Sequence, residues 1–182
     1  MTHAWHLEQH DSALNWQAGL RLGFVRSGAR TQLAHTSHRG PLRVQRPFTP
    51  EGVDCPHLYI LHPPGGLVSG DNLRLQADMQ ENACAVLTTP SSGKFYRARD
   101  NGTLQVQHNR FTLAAGSSLE YLPQDTIAFE GCHARMITRI DLAADARCVA
   151  WDLLCLGRPA AGEGFSYGQV DQRLDVWRDG RP

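Results

Sequence analysis

The residues in this chain with the most capacity for chemistry are carboxylates in unusual company. Asp71 closes the stretch His62-Pro63-Pro64-Gly65-Gly66-Leu67-Val68-Ser69-Gly70-Asp71. Glu120 and Asp125 bracket Leu122-Pro123, Asp152 interrupts the apolar run from Cys148 to Leu156, and Glu163 lies between two glycines. A buried carboxylate is costly unless it is paired, hydrogen-bonded or coordinating a cation. For each of these taken singly, a structural hydrogen bond or ion pair is the ordinary role. The 62–71 stretch adds shape: its prolines fix φ and remove donors, and its glycines permit φ > 0 and close backbone approach. It reads as a rigid turn that presents Asp71 just before Leu73-Arg74-Leu75.

Other constellations are weaker. His3, His6 and His10 share a helix-like spacing, and neutral imidazole binds nickel or zinc, but a terminal segment usually frays. His35 and His38 fall on opposite faces of an extended segment and cannot readily chelate together. His57 and His62 flank Leu58 to Leu61, where ending a strand accounts for both. Ser91-Ser92-Gly93-Lys94 is not a phosphate-binding loop, because Thr88 occupies the place of its first glycine and Phe95 the place of its Ser/Thr. The chain holds neither a G-x-S-x-G elbow nor an H-E-x-x-H zinc helix. A hydrolase or transferase that uses Asp71 and His62 as its base is the alternative to a non-enzymatic role.

The elements that position these residues are legible from alternation. Trp16, Ala18, Leu20, Leu22 and Phe24 fall on one face of an extended segment. The same period of two recurs in Leu58/Ile60, Leu73/Leu75/Ala77/Met79, Leu104/Val106 and Met136/Thr138/Ile140/Leu142. Turn residues intervene at Ser27-Gly28, Glu51-Gly52, Gly65-Gly66, Glu81-Asn82, Asp100-Asn101-Gly102, Ala115-Gly116 and Glu130-Gly131. Many short strands with frequent turns predict an all-β architecture. Helix is expected for at most a turn or two, around Ala4 to Asn15, and 151–156 fits either a buried strand or a short helix. Asp100-Asn101-Gly102 reads as a hairpin turn. So does Asp179-Gly180, which no returning strand follows.

Composition excludes several classes. Hydrophobic residues make up 41% and charged residues 20%, the profile of a globular protein. Eighteen basic residues balance eighteen acidic ones, so no surplus charge points to nucleic acid or an anionic membrane. The start, Met1-Thr2-His3-Ala4-Trp5-His6, lacks a secretory pattern, and the cysteines (Cys55, Cys84, Cys132, Cys148, Cys155) form an odd set without a CxxC pair. A cytoplasmic protein with reduced thiols is expected.

Five collinear blocks carry a resemblance. Gly40 to Phe48, His62 to Asp71, Leu87 to Arg97, Leu119 to Ile127 and Leu156 to Glu163 are similar, in order, to the urease accessory protein UreD family, also called UreH. The resemblance implies a mainly-β fold of stacked strands coiling in a helix-like manner with a minor helical part. It also implies one UreD-like domain over residues 1–182 that lacks the C-terminal third. The implied role is a non-enzymatic scaffold and nickel conduit in urease maturation, assembling with UreF and UreG on apo-urease, with nickel in transit and no tightly bound cofactor. Asp71, Glu120, Asp125, Asp152 and Glu163 resemble acidic positions along the family's proposed nickel passage, and Asp71, Glu120, Asp125 and Glu163 are the candidate residues. Asp125 stands where the family commonly has Glu, which shortens its reach. Self-association through an unpaired edge at Leu174 to Trp177 is a further expectation.

Overall fold

The computed structural model of the chain describes residues 16–182, so the expected helix at 4–15 and the His3/His6/His10 cluster lie outside the described residues. β1 (Gln17–Ser27) and β2 (Arg30–Arg39) form an antiparallel hairpin about Gly28, as the Ser27-Gly28 signal predicts. β3 (Arg43–Val44) and β4 (His57–Leu61) follow, also antiparallel. Three similar coils come next. The first is β5 (Asn72–Met79), β6 (Cys84–Thr88) and β7 (Gly93–Phe95), and the second is β8 (Gln105–Leu113), β9 (Ser118–Leu122) and β10 (Thr126–Ala128). The third is β11 (His133–Leu142), β12 (Arg147–Ala150) and β13 (Leu154–Leu156); a 3₁₀ turn at Pro159–Ala161 then leads into β14 (Gln169–Arg178).

Equivalent strands of successive coils pair in parallel and build three faces. The six-stranded face runs β14-β11-β8-β5-β1-β2, the five-stranded face β12-β9-β6-β4-β3, and the three-stranded face β13-β10-β7. A mainly-β fold of stacked, coiling strands is therefore what the chain adopts. Among the described residues no helix is long and apolar enough to cross a membrane.

Alternation works because in-register parallel strands stack like side chains above one another. Ala18, Leu20, Leu22 and Phe24 of β1 face inward with Leu73, Leu75, Ala77 and Met79 of β5 and Ala134, Met136 and Ile140 of β11. Trp16, expected on the same face, is instead exposed. On β8 the Leu104/Val106 phase is off by one: Gln105, Asn109, Phe111 and Leu113 are buried, and Leu104 and Val106 are only half-buried. Burial here follows the backbone register, not the polarity of the side chain. Of residues 151–156 only Leu154–Leu156 is a strand, the rest being a corner, and Trp151, Leu153 and Leu156 are open to solvent.

The three corners of each coil differ. The first spans residues 80–83, 114–117 and 143–146, always the same length. In each, the last residue's N–H donates to the first residue's carbonyl: Ala83 to Gln80, Ser117 to Ala114 and Ala146 to Ala143. A carboxylate from the next coil caps the corner below, with Asp145 accepting from Gly116 N at 2.7 Å and Asp179 accepting from Ala144 N at 2.9 Å. Arg178 and Arg181 exchange N–H···O bonds as an antiparallel bridge, so Asp179-Gly180 makes the two-residue hairpin turn that the dipeptide predicts. Its φ values, 49° and 76°, are the left-handed ones that such a turn needs. Asp100-Asn101-Gly102, also expected as a hairpin turn, instead joins β7 to β8 on a different face, at the third corner. That corner is 96–104 in the first coil, 129–132 in the second and 157–168 in the third.

Two outcomes are expected. Phe111 is fully buried with its ring centroid 4.7 Å from that of Tyr121, so Phe111→Ala should cost about 3–5 kcal/mol, read as a lower urea midpoint. β12, β13 and β14 are edge strands that expose Val149, Leu156, Leu174 and Val176, with Leu153 exposed just before β13. Light scattering should therefore show concentration-dependent association that Leu153→Lys with Val176→Lys reduces; a monodisperse parent would contradict this.

Candidate functional site

The interior enclosed by the coils is not uniformly apolar. A cavity of about 370 Å³ lies among its leucines, and His62, Gln107, Asn109, Tyr121, Thr126 and Asp152 bring polar groups to its wall. A relay of hydrogen bonds crosses from one face to another. The Asn109 amide donates to Tyr121 Oη at 3.2 Å and to Thr138 Oγ1 at 3.0 Å, and Thr138 Oγ1 donates to Asp152 Oδ2 at 2.7 Å. Asp152 Oδ1 has no hydrogen-bond donor among the described residues. Burial raises the Asp152 carboxyl above the ordinary range, opposed by the Thr138 bond. Burial, and then the Asp152 charge, push the Tyr121 phenol up in turn.

The register of the strands makes this arrangement. Asn109 on β8 is the Cα partner of Thr138 on β11, so the two inward side chains lie on adjacent rungs. Asp152 sits at the second corner of the third coil, which turns it inward, and Gln172 of β14 holds its backbone carbonyl at 3.0 Å. Asn109 and Tyr121 carried no signal in a reading of isolated motifs. The visible sign was a polar residue in an apolar alternation, which Thr138 supplied within Met136/Thr138/Ile140/Leu142.

Other candidates are dispersed. Asp71 is buried and committed to its own loop: Val68 N donates to Oδ2 at 2.9 Å and Trp16 N to Oδ1 at 3.3 Å. The loop it fixes also carries Leu67, which bridges to Phe95 of β7 and so begins the three-stranded face. A side chain at Gly66 would collide with Tyr96, its Cβ 2.5 Å from Cε2, and that explains the second glycine. Glu120 is exposed on β9. Asp125 accepts from Ser92 Oγ at 2.6 Å while its carbonyl accepts from Gly93 N, pinning the start of β7. Glu163 is exposed and paired with Arg158, whose guanidinium holds the carboxyl below its usual range.

His62 lines the cavity, its Nε2 without a hydrogen-bond partner among the described residues, and burial lowers its pKa against the opposing charge of Asp71. Gly93 and Lys94 lie within β7, far from any phosphate-loop geometry. Among the described residues no three His, Cys, Asp or Glu side chains converge as a metal cluster.

The raised Asp152 carboxyl has a signed consequence. A group whose pKa rises on folding contributes stability below its unfolded pKa and loses it as pH climbs through the folded value. Asp152→Asn keeps an acceptor for Thr138 and removes the charge. The variant should gain in thermal midpoint relative to the parent between about pH 4 and pH 7. A pH-independent difference would show that Asp152 is not desolvated.

Comparison with known proteins bears on what this cavity serves. The family model described as UreD urease accessory protein matches residues 17–182. A protein of Dechloromonas aromatica (strain RCB) named urease accessory protein UreD is 48% identical over 182 residues, 100% of this chain and 62% of its own length. Proteins of the same name from Saccharophagus degradans and Klebsiella aerogenes are 50% and 49% identical, each covering 92% of this chain, with 57% and 61% of their own lengths matched. The chain thus spans about three fifths of the length of these curated relatives. With the match running across all three coils, this chain belongs to the UreD urease accessory protein family.

Proposed function

We propose that the chain works in the cytoplasm as a non-enzymatic urease maturation factor, assembling with UreF and UreG on apo-urease, and that its internal cavity passes nickel. Family membership supports the maturation role. The observation that carries the conduit is a mainly apolar cavity in the coils whose wall holds the carboxylate of Asp152, with one oxygen accepting no hydrogen bond among the described residues. Oxygen donors bind nickel less tightly than thiolate or imidazole sets, and with no three ligands converging among the described residues the cavity suits a cation that is handed on. Nickel is the cargo here, not a resident cofactor.

The carboxylates then divide by position. Asp152 meets the cation, with the Asn109–Thr138 relay fixing its orientation. Asp71 shapes the wall by fixing the loop that carries His62. Asp125, Glu120 and Glu163 lie at corners and on outer faces, where they serve entry, exit or partner contact. A catalytic base built from Asp71 and His62 is less favoured, because both Asp71 oxygens already accept backbone N–H groups.

The test is restoration of urease activity in a bacterial strain lacking its own UreD, with this chain supplied alone and as a chimera carrying the C-terminal third of the Klebsiella aerogenes relative. The chimera should restore activity. Asp152→Asn should slow nickel loading several-fold without loss of folded protein, and alanine at Asp71, Glu120, Asp125 or Glu163 ranks the rest. Inactive urease despite soluble chimera would refute the maturation role. Full activation by Asp152→Asn would refute the conduit while leaving that role standing.

A further inference from the structure

The sulfurs of Cys55 and Cys84 are placed together by the fold and not by sequence proximity. Cys84 opens β6, and Cys55 lies two residues before β4. These strands pair in parallel with His57 opposite Val86 and Leu58 opposite Leu87. The same register, carried back two residues, sets Cys55 opposite Cys84. Thr31 of β2, itself buried, holds both sides: its N–H donates to Val53 O at 3.1 Å, and its Oγ1 accepts from Cys84 N at 3.1 Å. The side chains meet, with Cys84 Sγ donating to Cys55 Sγ at 2.7 Å, and both are free thiols. Neither is fully buried, whereas Cys132 is.

We propose that Cys55 and Cys84 form a redox-modifiable dithiol that a peroxide closes into an intramolecular disulfide. In the first step one sulfur attacks an oxygen of hydrogen peroxide, giving a sulfenic acid and, with the thiol proton, one water. In the second, the other sulfur displaces the sulfenic hydroxyl. The S–S bond forms, and that hydroxyl leaves with the second thiol proton as another water. The pair loses two electrons and two protons, and one peroxide becomes two waters.

Burial, together with Cys84, Glu120 and Asp54, pushes the Cys55 thiol up. Cys55 is thereby disfavoured as the attacking thiolate. The resulting bond encloses β4, the Pro63-Pro64-Gly65-Gly66 loop with His62, and β5. It therefore braces one wall of the cavity across the five-stranded face. The bond constrains the unfolded chain more than the folded one.

The experiment treats the 182-residue chain with hydrogen peroxide and follows intact mass, peptide mapping and thermal midpoint. The expected result is loss of two hydrogens, a Cys55–Cys84 linked peptide and a midpoint raised by several degrees, all reversed by dithiothreitol. A Cys132→Ser, Cys148→Ser, Cys155→Ser triple variant should behave identically, and Cys55→Ser should not lose the two hydrogens. Links through other cysteines, sulfinic acid without pairing, or unchanged mass would overturn the proposal. Thiol protection that EDTA reverses without any mass loss would mean a bridging metal, and would overturn it as well. The parent and the triple variant decide the matter even if Cys55→Ser folds poorly.

Discussion

A strand paired in parallel on both edges has no freedom left in where its side chains point. In this molecule β5, β8 and β11 are held in that way, each between the strand of the coil before and that of the coil after. Backbone amides buried without partners would be costly, so the pairing dictates register and the register dictates which residues face inward. Gln105 shows the strength of this constraint. It is fully buried, yet it is satisfied entirely by backbone, donating to Leu67 O and Tyr96 O and accepting from His133 N. One amide side chain thereby ties together the 62–71 loop, the end of β7 and the start of β11.

That constraint also explains why the interior can hold a polar relay at all. Asn109, Thr138 and Asp152 are each on a different turn or corner of the chain, and no local segment brings any two of them together. Asn109 meets Thr138 because successive coils stack, and Thr138 meets Asp152 across the inside of a single coil. The carboxylate end of the relay is where desolvation is felt, and the tyrosine end is buried deepest, so the cavity has a chemically graded wall.

The strands were legible in sequence wherever apolar residues alternate without interruption, as in β1, β5 and β11. They were misread on β8, because Gln105 and Asn109 carry inward positions with polar side chains and the nearby Leu104 and Val106 suggested the opposite phase. The coil repeat was invisible, because spacing is not constant: Asn72 aligns with Val106, Gln105 with Ala134 and His133 with Gln169. Of the site, the acidic residues drew attention by type, but only their placement separates them. Asp71 holds backbone amides, Asp125 holds the Ser92 hydroxyl, Glu120 and Glu163 face outward, and Asp152 faces the cavity. Position relative to a neighbouring coil is a long-range property that residue type and local spacing do not encode.

The unequal corners have an evolutionary reading. The first corner is fixed at four residues and locked by carboxylates from the coil above, so an insertion there would break contacts in two coils at once. The third corner grows from four residues to nine or twelve without disturbing a single rung. Change in chain length is thus channelled to one side of the solenoid. That side can carry added surface while the other two faces, and the lumen they enclose, keep their register.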